Sequence, residues 1–234
     1  MQDALRIAEN LEKVRGNIAR AAQRCGRSPA QVGIVAVTKT FPREQVQAAC
    51  EAGLRLFGEN RVQEAEEKYR EGLPPLELHL IGHLQRNKAQ RAAALFSAVQ
   101  SIDKMETAEA LEAACAVSGR RLEVLLEMNT SGEATKFGFA SEEALLAAVE
   151  PVLALPHLRL RGLMTVGPLT GDLEAVRDAF RRLARLRDLL RSRHPLAALD
   201  VLSMGMSGDY QIAVEEGSTL VRLGTALFGS RGQA

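Results

Sequence analysis

The chain has 234 residues, of which 46% are apolar, and its 30 basic and 29 acidic residues leave a formal net charge of +1. This balance lacks the basic footprint that nucleic acids and anionic membrane surfaces require, so we expect neither as a partner. A chain of this length can bury one sizeable hydrophobic core. We therefore expect a single domain spanning residues 1–234.

Cysteine usage and the N-terminal pattern bear on the compartment. The three cysteines lie far apart and in no metal-ligand spacing, which is typical of a reducing compartment, so we assign no disulfide and no metal site. Residues 1–27 form an amphipathic, charged helix pattern without the apolar core of a signal peptide, and no stretch is apolar enough to span a membrane. These features predict a cytoplasmic protein.

Strand-like and helix-like segments alternate after the N-terminal helix. The predicted strands, in chain order, cover residues 34–38, 54–57, 76–81, 98–102, 122–128, 158–166, 199–202 and 220–223. The predicted helices between and after them lie near residues 43–52, 60–70, 85–95, 104–117, 141–153, 173–192 and 210–216. Each helix fits a crossover connection between parallel strands.

Eight such strand–helix units predict an α/β fold, a closed (β/α)₈ TIM-like barrel with an extra N-terminal helix. An open sheet of eight strands would need more covering helix and would leave two edges to protect. An open doubly wound sheet is the alternative. In a barrel, functional residues lie at the C-terminal ends of the strands, and these ends are where we look for chemistry.

Lys39 directly follows the first predicted strand. The chain uses only six lysines among its 30 basic residues, so arginine fills most roles that need only positive charge. A primary amine can lose its proton when desolvated and form a Schiff base with an aldehyde, whereas a guanidinium effectively cannot. The alternative is a strand-end lysine that extends to solvent, and the strand alone does not decide between them.

The loops after the seventh and eighth strands contain Ser207, Gly224 and Thr225. Glycines and a hydroxyl near helix starts are typical of the phosphate sites that barrels build from these two loops. Ser207 is also suited to cap the helix that follows it, and Gly224 to form an ordinary turn. Both interpretations remain open at this point.

Arg222 interrupts the apolar eighth strand, and a buried guanidinium needs an acceptor. A phosphate or a ring nitrogen would serve, and so would a carboxylate such as Asp200 or Glu215.

The third strand contains His79 and is followed by His83. We take His83, nearer the strand end, as the better site candidate.

Lys136 lies in a glycine-bearing loop on the same side of the predicted barrel. It can guide an anionic ligand, but a solvated loop lysine is the preferred interpretation.

Five segments together resemble one known family along almost the whole chain. They are VAVTKTFP (35–42), FGENRVQEAEEK (57–68), HLIGHLQRNK (79–88), RGLMTVGP (161–168) and LSMGMSGDYQIAVEEGSTLVRLGTALFG (202–229). The sequence thereby resembles the pyridoxal phosphate homeostasis proteins, whose barrel is similar to the N-terminal domain of alanine racemase. Five matches in the same order are far more specific than a single glycine motif.

The resemblance implies a cofactor, pyridoxal 5'-phosphate (PLP), held as a Schiff base on Lys39. It further implies a phosphate site at Ser207, Gly224 and Thr225, and Arg222 beside the pyridine nitrogen. By looser correspondence, three more residues would line the pocket, namely Asn60, His83 and Met164. An arginine cannot readily protonate the ring, so carbanion chemistry would not be strongly favoured.

Three functions follow as hypotheses. The first is PLP binding in intracellular vitamin B6 homeostasis, by a monomer that passes the cofactor to apo PLP enzymes and has no established catalytic residue. The second is a PLP-dependent, racemase-like enzyme, although such an enzyme needs a second domain and a tyrosine base, and this sequence has only Tyr69 and Tyr210 and ends just after the eighth strand. The third is a Schiff-base aldolase without cofactor.

Overall fold

The computed structural model describes residues 2–69, 73–133 and 135–229. Within them, eight parallel strands close into a barrel in chain order, with β8 hydrogen-bonded to β1. The strands are β1 (Gly33–Val37), β2 (Leu56–Glu59), β3 (Glu77–Leu80), β4 (Ala98–Ile102), β5 (Leu122–Glu127), β6 (Leu158–Met164), β7 (Val201–Ser203) and β8 (Leu220–Leu223). The predicted (β/α)₈ barrel is confirmed, and the open sheet is excluded.

Helices cover the outside of the barrel. They are α1 (Gln2–Arg24), α2 (Arg43–Glu51), α3 (Val62–Lys68), α4 (Ala89–Leu95), α5 (Met105–Ser118), α6 (Glu142–Leu153), α7 (Leu173–Arg193), α8 (Tyr210–Glu215) and α9 (Thr225–Phe228). The extra helix α1 packs against α2, α8 and α9 through a stripe of apolar residues spaced three and four apart, Ile7, Leu11, Val14 and Ile18. Among the described helices, none has the length and apolar character needed to cross a bilayer.

Local cap signals fix several helix ends. The Ser141 hydroxyl accepts the N–H of Ala144 at the start of α6, and the Asp172 carboxylate accepts two N–H groups at the start of α7. At the end of α5, Gly119 adopts φ 64°, a left-handed conformation that favours glycine. These residues satisfy backbone groups that a helix end otherwise leaves without partners.

The second strand lies two residues later than predicted. Leu54 is buried but does not belong to β2, because its N–H donates to the Ala49 carbonyl and closes the end of α2 around Gly53. Gly58 and Glu59, expected from the sequence to follow the strand, are therefore part of it.

Other boundaries shift as well. The seventh strand starts at Val201 instead of residue 199, because its ladder partners on β6 pair with residues 201–203, so Ser203 lies inside the strand. The helix predicted over 60–70 is observed as α3, and its last predicted residue lies outside the described part of the chain. The helix predicted over 85–95 divides into a 3₁₀ turn and α4, and α9 was not predicted.

Gly162 allows β6 to approach β7. It adopts φ 152°, and a Cβ built there would lie 1.9 Å from the Val201 carbonyl oxygen. A side chain cannot be accommodated without moving one strand of the barrel away from the other.

We predict that Gly162→Ala lowers the free energy of unfolding by about 3 kcal/mol or more, because it combines backbone strain with displacement of a strand. Urea denaturation followed by circular dichroism measures this. Gly171→Ala is the matched control, since a Cβ added there would meet no heavy atom within 4 Å, and it should stay within about 0.5 kcal/mol of the wild type. Equal midpoints for the two variants would contradict the close approach of β6 and β7.

Candidate functional site

Lys39 follows β1 by two residues, at the C-terminal end of the barrel, and is partly buried. The strand's pairing continues one residue beyond β1, because the Thr38 N–H donates to the Gly58 carbonyl on β2 at 3.1 Å. Thr38 itself is fully buried. The backbone that leads into Lys39 is therefore fixed against the neighbouring strand.

Gly224 and Thr225 lie beside the end of β1. β8 pairs with β1, with Arg222 in register with Val35, and a Cβ placed on Gly224 would lie 3.5 Å from the Val37 carbonyl oxygen. Thr225 begins α9 and is exposed. Closure of the barrel therefore brings residues 224 and 225 next to the strand that carries Lys39.

Ser207 does not cap α8 as predicted, because Asp209 occupies the N-cap position of that helix. Instead, the Ser207 hydroxyl accepts the N–H of Ala226 in the first turn of α9 at 3.1 Å. The Asp209 carboxylate accepts the N–H of Met206 within the same loop. The loops after β7 and β8 are thus joined to each other, as a shared anion site requires.

Arg222 is almost completely buried and donates three hydrogen bonds inside the barrel. Its terminal nitrogen Nη1 lies 2.7 Å from both the carbonyl and the hydroxyl oxygen of Ser203, and the other terminal nitrogen, Nη2, lies 2.7 Å from the Thr165 carbonyl oxygen. The proposed carboxylate partners are excluded, since Asp200 pairs with Arg161 and Glu215 pairs with arginines on α1 and α7. Burial lowers the pKa of Arg222 to about 10.

A chain of polar side chains continues from Arg222 across the barrel interior. The Ser203 hydroxyl donates to Gln100 on β4 at 2.6 Å, and the Gln100 amide lies 2.8 Å from Nδ1 of His79 on β3. His79 is buried, and burial lowers its pKa to about 4, so it is neutral at neutral pH. His79 is therefore a buried imidazole that packs in the barrel interior. This leaves His83 as the better site candidate of the two histidines.

Asn60 and His83 line a different part of the same barrel end. Together with Gly82, Lys88 and Phe137 they border a cavity of about 630 Å³. The His83 ring stacks on Phe137 with centroids 4.1 Å apart, and its Nδ1 lies 3.0 Å from an Asp103 carboxylate oxygen. The structure brings Asn60 and His83 together at this cavity, whose lining does not include Lys39, Ser207, Gly224 or Thr225.

Met164 ends β6 and is fully buried, in register with Glu127 on β5 and Ser203 on β7. The next residue supplies the carbonyl that accepts from Arg222. Met164 is thus adjacent to the Arg222 network.

The loop lysine Lys136 forms contacts with the protein, where a solvated side chain was preferred from the sequence. Its amine donates to the Gly167 carbonyl at 2.8 Å and pairs with Glu133.

This set of donors has a defined chemistry. It contains a primary amine, a buried guanidinium, two hydroxyls and a glycine at the start of α9, all at the C-terminal end of the barrel. The amine suits an aldehyde, the hydroxyls suit a phosphate, and the guanidinium suits an acceptor such as a ring nitrogen. The residues present fit PLP, which carries all three groups.

Known proteins are similar to this chain over nearly its whole length. The family model described as "Alanine racemase, N-terminal domain" matches residues 10–232. The chain is 48% identical over 226 residues to the pyridoxal phosphate homeostasis protein of Pseudomonas aeruginosa, with 96% of both chains covered. The chain belongs to the pyridoxal phosphate homeostasis protein family.

Two further relatives support that assignment. The pyridoxal phosphate homeostasis protein of Vibrio cholerae is 44% identical over 230 residues, and the match covers 96% of both chains. Among solved structures, PipY of Synechococcus elongatus, with PLP bound, is similar with a TM-score of 0.84 at 35% identity, covering 95% of this chain and 100% of PipY. The family resemblance inferred from the sequence is confirmed.

Two buried polar residues of the barrel strands, Gln100 and Glu127, were not recognised from the sequence. Gln100 in the strand AVQSI and Glu127 in LEVLLE each place a polar side chain in an apolar strand, which is the signal that also exposed Arg222. Burial raises the pKa of Glu127 to about 7, although nearby Arg222 acts in the opposite direction and Asp103 adds to the rise.

We predict a pH dependence of stability from Glu127. An unfolded glutamate has a pKa of about 4.3, so between that value and about 7 the folded protein binds more protons than the unfolded chain. Stability must therefore fall as pH rises through this window. Relative to the wild type, Glu127→Gln should gain on the order of 2 kcal/mol between pH 4.5 and 7.5, measured by urea denaturation. Parallel stability curves for the two proteins would contradict the prediction.

Proposed function

We propose that this protein binds PLP as a Schiff base on Lys39 and serves intracellular vitamin B6 homeostasis by holding the reactive aldehyde in a bound, releasable form. The observation that supports the proposal most directly is the position of Gly224 beside Val37, two residues before Lys39, together with the Ser207–Ala226 contact at the closing edge of the barrel. The names of the relatives and the PLP bound by PipY support it independently.

Each residue has its own task in this proposal. Lys39 supplies the amine that captures the aldehyde, and Ser207, Gly224 and Thr225 bind the phosphate. Arg222, with a pKa of about 10, stays protonated at neutral pH. With PLP bound, it would donate a hydrogen bond to the ring nitrogen rather than accept one, and the ring would lack the proton that strong electron withdrawal needs.

The two tyrosines are poorly suited to act as a second base. Burial raises the pKa of Tyr69 far above its usual range, and its hydroxyl lies 2.6 Å from the Thr38 hydroxyl. The Tyr210 hydroxyl accepts a hydrogen bond from Asn17 on α1 at 2.6 Å. This supports binding and transfer over a racemase-like activity. That the chain acts as a cytoplasmic monomer stays a prediction.

We predict that Lys39→Arg abolishes the visible absorbance that PLP acquires on binding, because the guanidinium keeps the charge but cannot form the bond to the aldehyde. Lys136→Arg is the matched control at the same end of the barrel and should keep that absorbance. Spectrophotometric titration with PLP measures both. An unchanged spectrum in Lys39→Arg would refute the assignment of Lys39.

The transfer step has a separate test. We propose that the loaded protein gives PLP to apo forms of PLP-dependent enzymes, and we expect apo-enzyme activation by the loaded protein at a rate different from that of the same concentration of free PLP. Equal rates would show simple release without directed delivery.

The racemase-like alternative has its own test. Solvent deuterium incorporation at the α-carbon of amino acids, present in the wild type and lost in Lys39→Arg, would favour that alternative.

A further inference from the structure

A buried group of side chains contacts the backbone on both sides of Lys39, and the proposed function assigns none of them to PLP. We call it the Lys68 cluster; its members are Glu59 on β2, Glu64 and Lys68 on α3, and Tyr69. The Lys68 amine donates to Glu59 at 2.7 Å and to Glu64 at 2.9 Å. Only 6% of the Lys68 side chain and none of the Glu59 side chain is exposed. The cluster is a buried ion pair rather than a surface one.

This cluster holds both peptide groups that flank Lys39. The Lys68 amine also donates to the Thr38 carbonyl at 2.6 Å, which is the oxygen of the peptide bond before Lys39. The Glu64 carboxylate accepts the Thr40 N–H, which belongs to the peptide bond after Lys39. The backbone on either side of the Lys39 Cα is therefore tied to two charged side chains that contact each other.

The side chain before Lys39 is held as well. The Thr38 hydroxyl donates to the Glu59 carboxylate at 2.7 Å, and the Tyr69 hydroxyl lies 2.6 Å from the same Thr38 oxygen. Burial raises the pKa of Glu59, and the donors from Lys68 and Thr38 oppose that rise. These contacts leave the end of β1 little freedom to rotate.

Thr40 is held in a conformation that it would not adopt alone. Its φ is 66°, and among the described residues it is the only non-glycine residue with a positive φ. A β-branched residue is strongly disfavoured in this region, so the surrounding structure must impose it. The Glu64 contact to the Thr40 N–H is the observed restraint.

A buried ion pair is a costly way to stabilise a fold, because apolar residues of similar size often serve as well or better. An ion pair does, however, provide directional hydrogen bonds that apolar residues cannot. Here those hydrogen bonds converge on the two peptide groups of one residue. These hydrogen bonds are explained if PLP binding requires a fixed orientation of the Lys39 side chain.

We propose that Glu59, Glu64 and Lys68 are positioning residues for Lys39, which fix its backbone so that the amine is presented to the aldehyde of PLP. This inference rests on the proposed function. The proposed function assigns none of the three to the aldehyde or the phosphate, so we expect their effect to be confined to the part of binding that depends on the amine.

The test uses Glu64, because 27% of its side chain is exposed and its loss leaves the buried Lys68–Glu59 pair intact. Glu64→Ala should weaken PLP binding and slow its capture, each about tenfold, as expected from losing a hydrogen bond to a charged acceptor. Glu64→Gln keeps an acceptor oxygen for Thr40 and should restore most of both. Glu66→Ala, on the same helix but paired with Arg91, is the control and should behave as the wild type.

Pyridoxine 5'-phosphate separates positioning from general damage, because it carries an alcohol where PLP carries the aldehyde. We expect Glu64→Ala to bind pyridoxine 5'-phosphate as the wild type does, by calorimetry, while losing affinity for PLP. Equal loss for both ligands, or no loss for PLP, would overturn the positioning role and leave PLP binding by the wild type standing. Failure of the wild type to bind PLP would refute the proposed function and this inference with it.

Discussion

The pairing of β1 with β8 is the constraint on which the site depends. These strands are separated by nearly the whole sequence, yet Val35 lies in register with Arg222, and the end of β1 lies against Gly224. Closure of the barrel produces this contact, because an open sheet with the same strand order would leave the two strands at opposite edges. Lys39 and the loop that begins α9 therefore share one location as a consequence of topology.

Closure also creates a barrel interior that must be filled with side chains. In this protein, part of that interior is filled with polar groups. Arg222 donates to Ser203 and to the Thr165 carbonyl, and Ser203 in turn donates to Gln100. The Gln100 amide is hydrogen-bonded to His79. A buried guanidinium without such acceptors would cost several kcal/mol. The network thus stabilises a cation at the place where a ring nitrogen is proposed to lie, and in the described part of the chain no carboxylate is hydrogen-bonded to the arginine.

Much of the fold and part of the site can be predicted from the sequence, for physical reasons that differ between them. Alternating apolar runs and helical patterns predict eight units because parallel strands are buried on both faces. The predicted position of β2 was wrong because Leu54, although apolar, closes α2. An apolar residue that follows a helix and one that begins a strand look the same in a sequence.

The site itself was less accessible to sequence reasoning. Lys39 and Arg222 stand out because each is a charged residue in or after an apolar strand. Ser207 was recognised, but its partner was not, since the contact with Ala226 joins two loops that only the closed barrel brings together. The Lys68 cluster was missed because Glu64 and Lys68 look like part of an ordinary charged helix, and Glu59 was expected to follow the second strand. Their burial depends on packing against the end of β1.

The proposed function depends above all on covalent attachment of PLP to Lys39. Reduction of the loaded protein with borohydride makes that attachment permanent, and tryptic peptide mapping by mass spectrometry then locates it. We expect the phosphopyridoxyl group on the peptide of residues 28–43, in which modified Lys39 is no longer a cleavage site. Modification chiefly at another lysine, such as Lys136, or no modification at all, would contradict it.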